Sequence, residues 1–277
     1  MKLDDAKKLH QKKYRTQLGY YLVEGEHLIL ELQKAANNHP HNFKNTQLYV
    51  TEEYQDWANN LDGDFKIFTI SKKHMAQLSD TKTPQGIVAC VPLPDLKQAQ
   101  LDQQVTHPST DVRGLTAQGD PSTDGASHLL RMGGKEKCIY LHEAQDPGNL
   151  GTILRTLAWF GGFKLLLSPN SVDPFNPKVV RSSMGAIFHV PMELNVELAD
   201  LQNRFKTFAY LDMQGEKVNS QKFAEFDCYL FGNEARGVPR DALAAFNATA
   251  FTIPGSGVIE SLNLASAVNM CAYQLSL

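Results

Sequence analysis

The sequence predicts an α/β protein built as two units, on three observations. From residue 138 onward, short apolar runs alternate with stretches of helical periodicity, the pattern of a mainly parallel sheet covered on both faces. The first 92 residues carry a smaller set of strands and helices. Between the two, residues 95–135 turn to Gln, Asp, Ser, Thr, Gly and Pro with few large apolar side chains. At 277 residues the chain can bury a core in each unit.

In chain order, the start is basic: Lys2, Lys7, Lys8, Lys12, Lys13 and Arg15 face only Asp4 and Asp5. Such a cluster is ordinarily a solvated helix face, and it is also what a phosphate-contacting arm looks like. Residues 20–36 show helical periodicity after a short β-like start, and 48–51, 66–70 and 86–91 read as strands. The stretch 95–135 reads as a mobile linker or insertion, because so little apolar surface cannot offset the entropy of ordering it. The alternation then runs: strand 138–142, helix 150–160, strand 163–167, a helix near 177–185, strand 187–191, helix 196–205, strands 207–211 and 228–231, helix 239–246, strand 249–253, and a last helix from about 261.

Composition removes several classes of function. With 27 Lys+Arg against 30 Asp+Glu the net charge is −3. No apolar run nears the ~18 residues that span a bilayer, and residues 1–15 lack the apolar stretch of a secretory signal, so a cytoplasmic protein is expected. Cys90, Cys138, Cys228 and Cys271 lie far apart among apolar neighbours and read as reduced core thiols. The nine histidines form no H-x-x-x-H pair, and no metal is expected.

Ligands of parallel sheets bind beyond the carboxyl ends of the strands, which points to the loops after Leu141, Phe231 and Ile253. The first runs NLGTILRT over 149–156; Asn149 is placed to cap the following helix, and Arg155, one and a half turns on, can lean back toward that end. The second runs FGNEARGV over 231–238, with Gly232 at a strand end for close approach and Asn233 and Glu234 beside it. The third runs IPGSGVIESLNLA over 253–265, from Ile253 into Ser261, Leu262 and Asn263. No G-x-G-x-x-G fingerprint with a downstream acid and no Walker lysine is present, which argues against an ordinary dinucleotide or nucleoside triphosphate site.

In order and spacing these three segments resemble the signature motifs of the SpoU family of RNA ribose methyltransferases, in the SPOUT superfamily. RSSMGA at 181–186 is similar to the family's stretch between its first two motifs. KYR at 13–15, VEG at 23–25 and TPQGIV at 83–88 resemble the substrate-binding domain of the ribosomal RNA branch, which is similar to ribosomal protein L30e. The resemblance divides the chain into an RNA substrate-binding domain at 1–94, a linker or insertion at 95–135 that is long for the family, and a catalytic domain at 136–277.

What the resemblance implies is a homodimer that holds S-adenosylmethionine in a C-terminal trefoil knot, where strand pattern alone leads to an unknotted doubly wound sheet. It places Gly232, Asn233, Ile253 and Leu262 at the cofactor. Arg155, Asn149, Glu234, Ser261 and Asn263 become the catalytic set, and Lys12, Lys13 and Arg15 the RNA contacts. The implied reaction moves a methyl group to a ribose 2′-hydroxyl, with 23S ribosomal RNA as the expected substrate. A guanidinium with a pKa above ~12 is a poor base, so Arg155 is read as clamping phosphate and stabilising the developing alkoxide. Two alternatives stand beside this: transfer RNA as substrate, and an RNA-binding homologue without turnover.

Overall fold

The computed structural model describes residues 1–94, 136–259 and 261–277, and the linker read at 95–135 lies outside them. In the N-terminal unit, strands β1 (Tyr20–Glu24), β2 (Gln47–Val50), β3 (Lys66–Thr69) and β4 (Ile87–Pro92) form one sheet in the order β1-β4-β2-β3. β4 pairs antiparallel with β1 and β2, while β2 and β3 run parallel. Ile87 to Val91 are all buried, which is why this run is apolar without alternation. The helix Glu26–Asn38 covers the sheet with one stripe, Leu28, Ile29, Leu32, Ala35 and Ala36, at helical spacing.

The C-terminal unit is a six-stranded, wholly parallel sheet of β5 (Lys137–Leu141), β6 (Phe163–Leu167), β7 (Met192–Leu194), β8 (Phe208–Lys217), β9 (Cys228–Phe231) and β10 (Ala248–Thr252). Its order is β10-β8-β9-β5-β6-β7. The chain builds β5, β6 and β7 toward one edge and then crosses to lay down β8, β9 and β10 on the other side. The sheet therefore changes direction between β5 and β9, the position at which open parallel sheets bind ligands beyond the carboxyl ends of their strands. The helix Pro147–Phe160 follows β5 at that position. Its Gly151 has no room for a side chain: a Cβ would lie 2.0 Å from Ser182 Oγ and 2.9 Å from the Ser182 carbonyl carbon, so the helix Pro177–Ser182 crosses there at backbone distance.

Four expectations are corrected. The strand read at 187–191 is a 3₁₀ turn, Ala186–Phe188, with the strand displaced to Met192–Leu194. Met184 and Gly185 both take positive φ, which turns the chain sharply, and Ile187 and Val190 still reach the core from the turn. The helix read at 196–205 shrinks to Asp200–Arg204, because Val196 N–H is taken by Leu167 C=O and Asn195 sits at φ 57°. The helix read at 239–246 is four residues, Arg240–Leu243. The strand read at 207–211 extends to Phe208–Lys217, paired with β10 across a register shift between Ala250 and Phe251.

The two units share one apolar core, in which Tyr21, Val23 and Ile29 continue into Phe175, Val180 and Ile187. The Tyr21 and Phe175 rings lie 4.9 Å apart, and Arg181 pairs with Asp80 at 2.5 Å. Arg15 is another tie and a further correction: it is 3% exposed and serves no surface arm. Its Nε and Nη2 donate to Oδ2 of Asp173 at 2.9 and 2.5 Å, and its Nη1 to the carbonyls of Leu9 and His10. Sequence position within a lysine cluster suggested solvent; folding carries this one guanidinium inward to an acid 158 residues away.

Candidate active site

Asp146, not Asn149, caps the helix Pro147–Phe160: its side chain accepts from Asn149 N–H at 2.7 Å, and Pro147 occupies the first turn. That releases the Asn149 side chain, which bridges the other two loops. Its Nδ2 donates to Oε1 of Glu234 at 3.3 Å, and its Oδ1 accepts from Nδ2 of Asn263 at 2.9 Å. Glu234 also accepts from the N–H groups of Gln145 and Asp146 at 3.1 and 3.2 Å, setting a carboxylate at the positive end of the helix. Asn263 caps the helix Leu264–Ser276 through Ser266 N–H at 3.2 Å, so that helix starts later than expected. One chain of side chains, Glu234 to Asn149 to Asn263, thus joins all three loops.

Gly232 and Asn233 shape the second loop. A Cβ on Gly232 would lie 2.2 Å from the Gly237 carbonyl carbon, so only glycine lets the loop fold back on itself. Asn233, 6% exposed, exchanges backbone hydrogen bonds with Gly237. Its Oδ1 accepts from Ala235 and Arg236 N–H, and its Nδ2 donates to Glu143 C=O at 2.7 Å. Ile253 is half-buried after β10, and Leu262 is 44% exposed.

Arg155 and Ser261 are exposed and make no hydrogen bond or ion pair among the described residues, so neither joins the Asn149 network. Lys12 and Lys13 stay at the surface on the helix Lys12–Leu18, with Lys13 Nζ 5.8 Å from the centre of the Tyr14 ring. Lys12 lines a cavity of about 190 Å³ at the seam between the units, together with Thr16, Ser171 and Asn195.

Sequence reasoning missed Asp146 as the cap, although an Asp directly before a Pro at the start of a helix is a readable signal. It also missed the cross-loop partners Glu143, Gln145 and Arg236, which no spacing along the chain brings together. His142, half-buried after β5, has its Nδ1 without a partner among the described residues; burial lowers its pKa, with Glu143 pulling up and Arg236 down. All four cysteines are free thiols; burial pushes Cys90, Cys138 and Cys271 up to about 12. Among the described residues, no group of three or more His, Cys, Asp or Glu is gathered as metal ligands, and no helix is long and apolar enough to cross a membrane.

The arrangement suits a ligand that is gripped by backbone and apolar groups. The glycines of the third loop, Gly255 and Gly257, have nothing among the described residues within 4 Å of where a Cβ would stand, and beside them Val258 is 85% exposed. The His142 Nδ1, without a partner among the described residues, lies just after β5, where the first loop begins.

Comparison with known proteins agrees with this geometry. Residues 136–273 match the SpoU rRNA Methylase family, and residues 2–89 match the MRM3-like substrate binding domain. The 23S rRNA (guanosine(2553)-2′-O)-methyltransferase RlmP of Bacillus subtilis is 28% identical over 278 residues, 99% of this chain and 95% of that protein. Mitochondrial rRNA methyltransferase 3 of Mus musculus is 32% identical over 190 residues, 69% of this chain and 38% of that protein. The SpoU methyltransferase AviRb from Streptomyces viridochromogenes, solved in complex with AdoMet, superposes with a TM-score of 0.73 at 20% identity, covering 99% of this chain and 96% of that one. At that identity the likeness is one of fold.

Proposed function

The chain belongs to the SpoU rRNA methylase family, and on that premise we propose that it methylates a ribose 2′-hydroxyl of 23S ribosomal RNA with S-adenosylmethionine as donor. The observation that carries this reading is the hydrogen-bonded chain Glu234–Asn149–Asn263, which ties together the three loops that follow β5, β9 and β10 of a parallel sheet and leaves Arg155 and Ser261 exposed. Residues 1–94 serve as the substrate-binding domain and 136–277 as the catalytic domain, acting in the cytoplasm.

When bound, the cofactor supplies an electrophilic methyl group on a sulfonium. Gly232, Asn233, Ile253 and Leu262 would hold it, largely through backbone groups and apolar surface. A ribose hydroxyl is a weak nucleophile: as its proton passes to solvent, negative charge builds on the oxygen, and the methyl transfer then consumes that charge with a neutral thioether as leaving group. Arg155 offers that oxygen and a neighbouring phosphate a planar, permanently charged donor set that is unpaired among the described residues. Asn149, locked by its two partners, and Ser261 and Asn263 orient the ribose. Lys12 and Lys13 attract the RNA backbone.

The catalytic unit pairs with a second copy, and the C-terminal path is knotted. Support for pairing comes from the helices Pro147–Phe160 and Leu264–Ser276, which are joined by Thr156 Oγ1 to Asn269 Oδ1 at 2.5 Å and by the Phe160 and Tyr273 rings. Together they leave Trp159, Met270, Tyr273 and Leu277 exposed, with Trp159 at 83%. On the same helix Ala265, Val268 and Leu275 belong to the core, while Met270, and Leu262 just before the helix, stay outside.

The test is methylation of 23S rRNA from cells lacking the gene, with S-adenosylmethionine carrying a labelled methyl group, followed by mapping of the ribose. The position matching the target named for RlmP is the first to inspect. Label entering transfer RNA alone, or no label with either RNA, refutes the proposal.

A further inference from the structure

Glu143 follows β5 directly and takes a backbone φ of 50°, a left-handed conformation that glycine adopts freely and side-chain-bearing residues rarely. A side chain is kept where the backbone favours none, and its contacts show what it does. The Glu143 N–H donates to Ser168 Oγ at 2.6 Å, at the end of β6. Its C=O accepts from Nδ2 of Asn233 at 2.7 Å and from Nε2 of Gln145 at 3.1 Å. Its carboxylate pairs with Arg236 and accepts from Nδ2 of Asn170 at 3.5 Å.

One residue of the first loop therefore holds the second loop at two points, Asn233 through the main chain and Arg236 through the side chain. Between those points the turn is closed by Asn233 Oδ1, which takes the N–H groups of Ala235 and Arg236 at 2.9 and 3.0 Å. Glu234, from the same turn, reaches the other way to the amides of Gln145 and Asp146. Two carboxylates, one from each loop, cross-brace the loops that follow β5 and β9. Glu234 belongs to a sequence motif; Glu143 belongs to none.

We propose that Glu143 is a positioning residue: it sets the backbone of 232–237 before the cofactor arrives, and so governs cofactor affinity more than the chemical step. The proposal rests on the reading that this loop holds S-adenosylmethionine. Glu143→Gln and Arg236→Gln each remove the ion pair while nearly preserving side-chain size. Each is expected to weaken S-adenosylmethionine binding in calorimetry about three- to fivefold, the scale of a partly exposed ion pair. The single-turnover rate at saturating cofactor stays within about twofold, because uniform binding is what is lost. The double variant binds no more weakly than either single one, since the pair can be broken only once. Backbone amide exchange at 233–237 quickens in both single variants. Losses that add in the double variant, or single variants with wild-type affinity, overturn the proposal. If the wild-type protein binds no S-adenosylmethionine, the functional reading falls instead. The exchange measurement then decides alone: faster exchange in Glu143→Gln supports the bracing role, and unchanged exchange refutes it.

Discussion

Replacing Arg15 by alanine separates a surface contact from a structural tie. The guanidinium donates four hydrogen bonds, two to Asp173 and two to the carbonyls of Leu9 and His10, and the Asp173 side chain is itself only 12% exposed. The substitution strands that carboxylate with Phe175 N–H, at 3.0 Å, as its remaining partner among the described residues. Removing one member of a buried pair destabilises by about 3–5 kcal/mol, and the residual exposure of Asp173 favours the lower end, about 3 kcal/mol. At roughly 2–4 °C per kcal/mol for a chain of this size, the melting temperature falls by about 6–12 °C in scanning calorimetry. Arg15→Met with Asp173→Leu recovers much of the loss, because an apolar pair of similar volume removes both charges together. Were Arg15 a phosphate contact, the outcome would invert: a change in stability within about 0.5 kcal/mol and a salt slope of RNA binding lower by about 0.9. That result would refute the domain tie.

Three further outcomes are expected. Arg155→Ala leaves the melting temperature unchanged, since the side chain is exposed and unpaired among the described residues, and lowers single-turnover methyl transfer by about 100-fold or more; a wild-type rate removes Arg155 from the mechanism. Burial pushes the Glu193 carboxyl up, but hydrogen bonds and charge from Lys164 and Arg204 outweigh it and hold the pKa below its ordinary value. Its stabilisation is therefore complete above the ordinary carboxylate pKa and is lost as pH falls through the lowered native value; urea melts across the acid range should show a shallower pH slope in Glu193→Gln. Trp159→Asp, which puts a charge in the exposed apolar face, converts a sedimenting dimer into a monomer; a wild-type protein that is monomeric at all concentrations sinks the pairing.

Much of this protein was legible in one dimension, because local chemistry carried the signal. Apolar runs such as 138–142 and 228–231 announce strands buried on both faces, and Gly232, Asn149, Glu234 and Asn263 sit in loops whose composition exceeds what turns require. Where the signal was weak, the reading slipped: 187–191 has the apolar content of a strand, but two successive positive φ angles at Met184 and Gly185 turn it into a 3₁₀ segment. What tertiary structure alone decided is which groups meet. Arg15 and Asp173 are 158 residues apart and meet only because the two units pack together, while Glu143 and Arg236 are 93 apart and meet because the sheet order puts β5 beside β9. Charge pairing is short-ranged and carries no period along the chain, whereas burial of a face repeats every two or 3.6 residues. Periodicity is therefore written in the sequence, while partnership across loops appears only when the strands have taken their places.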